Sequence, residues 1–144
     1  MGVRPRITTE LAADVMASAS AEPDREVCGL LLGTGDGRVL LRPALNVAAD
    51  PRRRFEIDPA VLLAAHREWR GGGPAIIGCY HSHPGGSAVP SPRDADHAVP
   101  DGSVWLIVAG RDVRAWRAAE RGDLHDRFTS VGLRVTAGNG RGPR

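Results

Sequence analysis

The chain has 144 residues, 42% of them hydrophobic, and a formal net charge of only +2. This length and composition suffice for one ordinary core, while the small charge and the lack of a Lys/Arg-rich helix with interleaved aromatic residues argue against nucleic-acid binding. No apolar run approaches membrane-spanning length and no signal-peptide segment opens the chain, so we expect a cytoplasmic protein that does not enter a membrane.

In chain order, the first half predicts a helix, a hairpin and a second helix. Residues 7–20 have helical periodicity, and residues 27–33 and 38–46 are typical of two strands joined by the turn 34–37. Residues 59–69 form the second predicted helix, because Pro59 suits a helix start and three glycines follow at 71–73.

The second half predicts mainly strands. The apolar run 75–80 indicates a buried strand, residues 94–99 a short helix, and 104–109 and 113–117 two strands across a turn, with a final strand over 128–135. This order favours an α+β fold with a curved, mainly antiparallel sheet flanked by helices. We expect residues 1–137 to form a single domain and residues 138–144 a disordered tail.

Two histidines follow the predicted strand 75–80 in the stretch His81-Ser82-His83-Pro84. Because side chains alternate along a strand, His81 and His83 point to the same face and lie side by side at its end. An isolated His-x-His pair is weak evidence for a metal site, since histidines in strands are often ordinary hydrogen-bonded residues.

A carboxylate with suitable spacing follows in Ser91-Pro92-Arg93-Asp94. Ser91 fits a helix N-cap, Pro92 the first helical position and Asp94 the third, so the first turn can direct Asp94 back toward the strand end. The same pair resembles a capping box with Asp in place of Glu or Gln, and capping and catalysis are compatible here.

Two histidines and one aspartate would leave the fourth position of a tetrahedral zinc ion open, as in catalytic sites. Such a zinc ion supplies a water of pKa near 7 and polarises a carbonyl group. Hydrolysis then also requires a general base and a donor for the oxyanion. Glu26 and Ser91 are the candidates for these two roles.

The stretch 26–33 (EVCGLLLG), His81-Ser82-His83-Pro84 and Ser91-Pro92-Arg93-Asp94 together resemble the JAMM (MPN+) metalloproteases. That family's pattern is a glutamate, then His-x-His-Pro, then Ser-x-x-Asp, and the likeness extends over roughly residues 7–118. It includes Asn46 and the segment 54–59. The resemblance implies an MPN/JAMM-like fold.

For the site, the resemblance implies that His81, His83 and Asp94 bind one Zn²⁺ ion, that Glu26 activates the water, and that Ser91 hydrogen-bonds the oxyanion. The family cleaves peptide or isopeptide bonds at the carboxyl end of ubiquitin-like proteins. Its compact bacterial group includes hydrolases of ubiquitin-like sulfur-carrier proteins, one activity of which releases cysteine. A sulfur-carrier protein is therefore the expected partner and substrate.

Two other classes compete with this zinc peptidase. A noncatalytic MPN-type scaffold, which would bind a ubiquitin-like partner without a metal, usually lacks one or more ligands, and this chain lacks none. A nucleobase deaminase would need His-x-Glu and Pro-Cys-x-x-Cys motifs, which are absent. The sequence does not indicate the oligomeric state.

The remaining histidines and the cysteines have simpler interpretations. We interpret His97 as a surface histidine or one behind the metal ligands, and His66 and His125 as structural or exposed. Cys28 and Cys79 fit small buried hydrophobic residues, with a disulfide as the alternative. A cysteine nucleophile is a weaker idea.

The run 52–54 is the one local cluster of arginines. It could dock an acidic face or the C-terminal tail of a carrier protein, or it could be a solvated turn after Asp50-Pro51. We favour the solvated turn for Arg52 and Arg53.

Overall fold

The computed structural model describes residues 5–137, which form three helices and eight strands. The expected disordered tail, residues 138–144, lies outside the described residues, and a single domain over 1–137 stays a prediction. No helix within the described range is long and apolar enough to span a bilayer. The elements are β1 (Arg6–Thr8), α1 (Thr9–Ala21), β2 (Cys28–Gly33), β3 (Val39–Ala44), α2 (Pro59–Arg70), β4 (Ala75–Ser82), α3 (Pro92–His97), β5 (Val104–Ala109), β6 (Asp112–Ala118), β7 (Phe128–Val131) and β8 (Arg134–Thr136).

Six of the strands form one sheet in the order β3-β2-β4-β5-β6-β7. Its neighbours are antiparallel except β4 and β5, which run parallel. A parallel pair requires the chain to cross back over the sheet between its two strands. Here the crossover begins just after His83 and contains α3, so it returns Asp94 to the end of the strand that carries the histidines.

Helices cover both faces of this sheet. On one face, Val15 of α1 packs in a core with Leu31, Tyr80 and Leu106. On the other face, Ala65 of α2 packs with Leu30 and Leu32, the neighbours of Leu31 along β2. The alternation of apolar residues within β2 therefore supplies two cores, and the α+β fold with a mainly antiparallel sheet between helices is confirmed.

The predicted hairpin and the two predicted long helices are confirmed, and their observed ends differ slightly from the predicted ones. The predicted helix over 7–20 begins later, because the Thr8 hydroxyl accepts a hydrogen bond from the Leu11 N–H at 3.1 Å and caps the helix. Ile7 lies in β1 and is 1% exposed. The short helix predicted over 94–99 spans Pro92–His97, after its N-cap at Ser91.

The prediction of one continuous strand over 128–135 was wrong. The segment divides into β7, which pairs antiparallel with β6, and β8, which pairs parallel with β1. Because Ile7 and Val135 occupy opposite positions in that second sheet, the pairing joins residues far apart in sequence. A local alternating pattern contains no information about such a partner, which explains the error.

Candidate metal centre

His81 and His83 bring their Nε2 atoms together at the end of β4. The two nitrogens are 3.0 Å apart, and the Asp94 carboxylate lies 3.2 Å from Nε2 of His81 and 3.0 Å from Nε2 of His83. Three donor atoms that each lie about 2.0–2.2 Å from a tetrahedral zinc ion are roughly 3.3 Å from one another. The spacing in this group therefore suits one small metal ion, and these residues are the three-donor group found within residues 5–137.

The chemistry of the donors also fits a cation at this point. Nδ1 of His83 lies 2.7 Å from the carbonyl oxygen of Ser87, so it carries the proton and leaves the Nε2 lone pair free. That lone pair faces both Nε2 of His81 and the Asp94 carboxylate. Groups that only accept hydrogen bonds repel one another unless a proton or a metal ion lies between them.

Asp94 is held in this position by the start of α3. The Ser91 hydroxyl accepts from the Asp94 N–H at 3.1 Å, and the Asp94 carboxylate accepts from the Ser91 N–H at 2.9 Å, which completes a capping box. Burial acts to raise the pKa of Asp94, but the adjacent imidazoles of His81 and His83 and the Ser91 N–H keep that pKa well below its usual range. The carboxylate is therefore anionic, as a metal ligand must be.

Aromatic rings position the His81 imidazole. The ring is fully buried, and its Nδ1 has no hydrogen-bond partner among residues 5–137. Phe55 stacks on it at a centroid distance of 4.3 Å, and Trp105 contacts it edge-on at 5.6 Å. His97 stacks on the other side of Phe55 at 5.4 Å and is exposed, as the interpretation of His97 as a surface histidine predicts.

Glu26 lies in the segment before β2 and is bound to the histidine strand through the next residue. The Val27 N–H donates to the Ser82 hydroxyl at 2.8 Å, and the Ser82 N–H donates to the Val27 carbonyl at 3.0 Å. The central residue of His81-Ser82-His83 thus fixes the backbone beside Glu26. Asn46 also holds the backbone of Glu26, because its Nδ2 donates to the Glu26 carbonyl at 2.8 Å.

The Glu26 carboxyl group has the electrostatics of a general base. It is 5% exposed, and its Oε1 has no hydrogen-bond partner among the described residues. Burial raises the pKa of Glu26 from 4.5 to about 7, and the charges of His83 and Arg93 oppose this rise. A carboxylate that gains and loses a proton near neutral pH suits proton transfer.

The Ser91 hydroxyl remains available as a donor. Its oxygen accepts from the Asp94 N–H, while its own O–H donates to no group in the part of the chain that the structure describes. An open cleft of about 470 Å³ joins Ser91 to Glu26 and His83. Three of the five predicted site residues, Glu26, His83 and Ser91, therefore line one cleft, while His81 and Asp94 lie buried in contact with His83.

Several features of this site have no signal in the sequence motifs. Phe55 and Trp105 contact His81 from distant parts of the chain, and only the position of Phe55 inside the segment 54–59 associated it with the site. Arginines also line the cleft: Arg52 and Arg53 from the loop after β3, and Arg93 from α3. The interpretation of Arg52 and Arg53 as part of a solvated turn omitted this neighbourhood.

The cysteines and the remaining histidines lie outside the site chemistry. Cys28 and Cys79 are free thiols, so the structure contains no disulfide between them. Burial raises the pKa of Cys28 to about 12 and that of Cys79 well above its usual value, which argues against a thiolate nucleophile. His66 is exposed, and Nε2 of His125 lies 3.0 Å from the Pro90 carbonyl.

A larger groove, of about 650 Å³, lies at the opposite end of β4. It is lined by Gly33, His66, Trp69 and Ile77, among others. The three-donor group of the described residues does not belong to it. Volume alone therefore does not identify the functional site of this chain.

An α+β domain whose central strand ends at a His-His-Asp group that could hold a metal ion is the class that the fold and the site define. Residues 8–119 match the family described as prokaryotic homologs of the JAB domain, and the chain belongs to that family. The match contains Glu26, both histidines, Ser91 and Asp94, and the resemblance stated from the motifs is confirmed.

Curated relatives share this region. The chain is 40% identical to a desampylase of Haloferax volcanii over 91 residues, which are 62% of this chain and 66% of that protein. It is 34% identical to a probable TtuB-protein conjugate cleaving protease of Thermus thermophilus over 88 residues, 61% of this chain and 59% of that protein. A desampylase of Pyrococcus furiosus is 31% identical over 117 residues, 78% of this chain and 77% of that protein. The chain thus matches less than two thirds of the length of the first two relatives.

Solved structures have the same fold. A protein of Desulfitobacterium hafniense, determined in solution, superimposes with a TM-score of 0.76 at 25% identity, over 92% of this chain and 93% of that one. A JAB1/MPN domain protein of Archaeoglobus fulgidus gives a TM-score of 0.61 at 20% identity, over 94% of this chain and 100% of that one. The MPN/JAMM-like architecture predicted from the motifs is confirmed.

Proposed function

We propose that this chain is a zinc-dependent peptidase that hydrolyses a peptide or isopeptide bond at the C-terminus of a ubiquitin-like sulfur-carrier protein. The observation that carries this proposal is the convergence of His81, His83 and Asp94, with His83 lining the same cleft as Glu26, a buried glutamate whose pKa is raised to about 7. The names of the relatives support the substrate class, because a desampylase and a TtuB-conjugate protease act on ubiquitin-like conjugates.

In this proposal His81, His83 and Asp94 hold one Zn²⁺ ion through two imidazole nitrogens and a carboxylate oxygen. When bound, zinc supplies a water of lowered pKa and a Lewis acid for the substrate carbonyl. Nitrogen and carboxylate donors are ordinary zinc ligands, and three of them leave a position open in a tetrahedral site.

The protein side chains move the protons. Glu26 takes a proton from the attacking water, because its Oε1 has no hydrogen-bond partner among the described residues and the residue lines the cleft beside His83. The carbonyl oxygen becomes negative, and the Ser91 O–H donates a hydrogen bond to it. Glu26 then passes the proton to the leaving nitrogen as the carbon–nitrogen bond breaks. One water is consumed, and the products are a carboxylate and an ammonium group, the second proton of the water having passed to the amine.

The noncatalytic scaffold is the alternative function, with the same fold and a ubiquitin-like partner. It accounts for neither the unpartnered Oε1 of Glu26 nor the convergence of His81, His83 and Asp94. Burying a carboxyl group without a hydrogen bond is unfavourable, and a scaffold has no use for it. The peptidase interpretation uses both features.

Intact-mass analysis tests the proposed function. A sulfur-carrier protein with a cysteine added to its C-terminus is incubated with the zinc-loaded chain and, in parallel, with Glu26→Ala. We expect loss of one cysteine with the intact enzyme only. An unchanged mass at full zinc occupancy, with this carrier and with isopeptide conjugates, would support the scaffold instead.

A further inference from the structure

The catalytic cleft carries unpaired positive charge beside the reacting groups. Arg52 and Arg93 line it, and neither has a hydrogen bond or an ion pair with another described residue. Arg53 lies 4.0 Å from Asp50 in an exposed pair, which is worth little. The cleft lining thus contains three guanidinium groups and one acidic side chain, that of Glu26.

The position of these arginines limits which part of a substrate they can meet. Arg93 directly precedes Asp94 in α3, and its charge is among those that act on Glu26. Arg52 lies next to Pro51, whose carbonyl oxygen accepts the Glu26 N–H at 2.7 Å. Both arginines therefore line the same cleft as Glu26, His83 and Ser91, rather than a distant face.

A carboxylate is the substrate group that the arginines of this cleft are suited to bind. The guanidinium fork binds a carboxylate through two parallel hydrogen bonds, and these charge-assisted bonds are stronger than neutral ones. Consider a substrate in which the bond to be cleaved joins the last residue to the rest of the chain. The backbone nitrogen of that last residue is the leaving group, and the carbon of its free α-carboxylate lies only about 2.5 Å away, as the N–Cα and Cα–C bond lengths require. The lysine nitrogen of an isopeptide bond has no such carboxylate beside it.

We propose that Arg52 and Arg93 bind the free α-carboxylate of a single residue that follows the scissile bond. The preferred substrate is then a carrier protein extended by one amino acid, and the preferred reaction is release of that amino acid rather than cleavage of an isopeptide conjugate. This inference rests on the proposed function and adds to it the chemistry of the leaving group. Hydrolysis consumes one water, breaks the last peptide bond and releases a free amino acid.

Three matched substrates test the inference. One carrier protein is prepared with a C-terminal cysteine as the carboxylate, with the same cysteine as the carboxamide, and as an isopeptide conjugate to a lysine peptide. With the zinc-loaded chain we expect kcat/KM for the carboxylate to exceed that for the carboxamide by about 10-fold or more, as expected for the loss of a charged hydrogen bond.

Arginine variants show which side chains make the difference. Arg93→Ala and Arg52→Ala should each lower kcat/KM for the carboxylate about 10-fold more than kcat/KM for the carboxamide, so that the preference for the carboxylate is lost. Arg93→Lys should retain part of the preference, because it keeps the charge and loses the fork. Arg70→Ala is the matched control, since Arg70 is exposed at the end of α2 and does not line the cleft.

A binding measurement makes the test independent of turnover. The Glu26→Gln variant, which lacks the proposed base, is titrated with the carboxylate and carboxamide forms of the carrier by calorimetry. We expect tighter binding of the carboxylate form, and we expect the added substitution Arg93→Ala to remove the difference.

Four results would refute this inference or the proposed function on which it rests. Equal cleavage and equal binding of carboxylate and carboxamide would show that no α-carboxylate is recognised. Equal losses on both substrates in Arg93→Ala, which become smaller as salt is added, would mean that the arginines hold an acidic face of the carrier. Cleavage of the isopeptide conjugate alone would refute the inference and leave the proposed function intact, whereas cleavage of none of the three would refute the proposed function.

Discussion

Asn46 holds the backbone of Glu26, since its Nδ2 donates to the Glu26 carbonyl oxygen at 2.8 Å. The same nitrogen donates to the Arg54 carbonyl at 3.0 Å, and Oδ1 accepts the N–H groups of Ala48 and Glu56 at 3.0 and 3.1 Å. With a longer contact from Nδ2 to the Pro51 carbonyl at 3.5 Å, one amide side chain thus reaches five backbone groups. It connects the proposed base to the loop that lines the cleft.

Asn46→Ala should therefore impair both folding and catalysis. The lost hydrogen bonds leave partly buried backbone groups unpaired, so we expect the free energy of unfolding to fall by about 1–3 kcal/mol. We also expect kcat to fall at least 10-fold, because small displacements of a base are costly. Thermal unfolding, zinc content and steady-state kinetics measure these effects. Lower stability with normal kcat would show that Asn46 does not position Glu26.

The raised pKa of Glu26 predicts how stability depends on pH in the metal-free protein. A carboxyl group with a pKa of about 7 in the folded state and near 4.5 in the unfolded state binds its proton more tightly when folded. Stability is therefore greatest below pH 4.5 with respect to this group and decreases as the pH rises to about 7.

Glu26→Gln is the reference variant for this effect, because glutamine imitates the neutral acid at every pH. The difference in unfolding free energy between wild type and variant should change by about 2 kcal/mol between pH 5 and pH 8, against the wild type at high pH. This change in free energy is smaller than the value that the whole pKa shift would give, because solvent in the open cleft screens the carboxyl group. Chemical denaturation across this range measures it, and a constant difference would indicate an ordinary pKa.

The parts of the site that lie on one element could be predicted from sequence. Strand alternation placed His81 and His83 together, and the N-cap pattern of Ser91 and Asp94 placed the carboxylate in the first turn of α3. Each inference needs only the geometry of a strand or of a helix start. The resemblance of the motifs then joined Glu26 to them, although no local rule connects a residue before β2 with the end of β4.

The parts that depend on packing between distant elements were missed. The stacking of Phe55 on His81 joins a loop after β3 to β4, and the pairing of β1 with β8 joins the two ends of the described chain. Arg52 was interpreted as part of a solvated turn after Asp50-Pro51, with docking of a carrier protein as the alternative. Only the fold shows that this turn borders the same cleft as Arg93.

His83→Ala should weaken metal binding strongly. The substitution removes one of the three proposed ligands, so its effect should exceed the 10–100-fold loss seen when a partner of a ligand is removed. Zinc content after dialysis and competition with a chelator measure it. His97→Ala is the control, because His97 stacks on Phe55 outside the donor group and should retain zinc. Unchanged zinc content in His83→Ala would refute the ligand assignment.

Ser91 has two roles in this account, and two substitutions can separate them. Ser91→Ala removes the helix cap and the proposed oxyanion donor, so we expect a loss of about 1 kcal/mol in stability and of about 100-fold or more in kcat. Ser91→Gly also lacks the hydroxyl, but glycine at an N-cap costs only a few tenths of a kcal/mol. It should therefore keep near-normal stability and lose as much kcat as Ser91→Ala, whereas Ser91→Thr, which retains a hydroxyl, should keep part of the rate. If kcat instead follows thermal stability across the three variants, with Ser91→Gly nearly as active as wild type, then Ser91 serves only to hold Asp94 through the capping box.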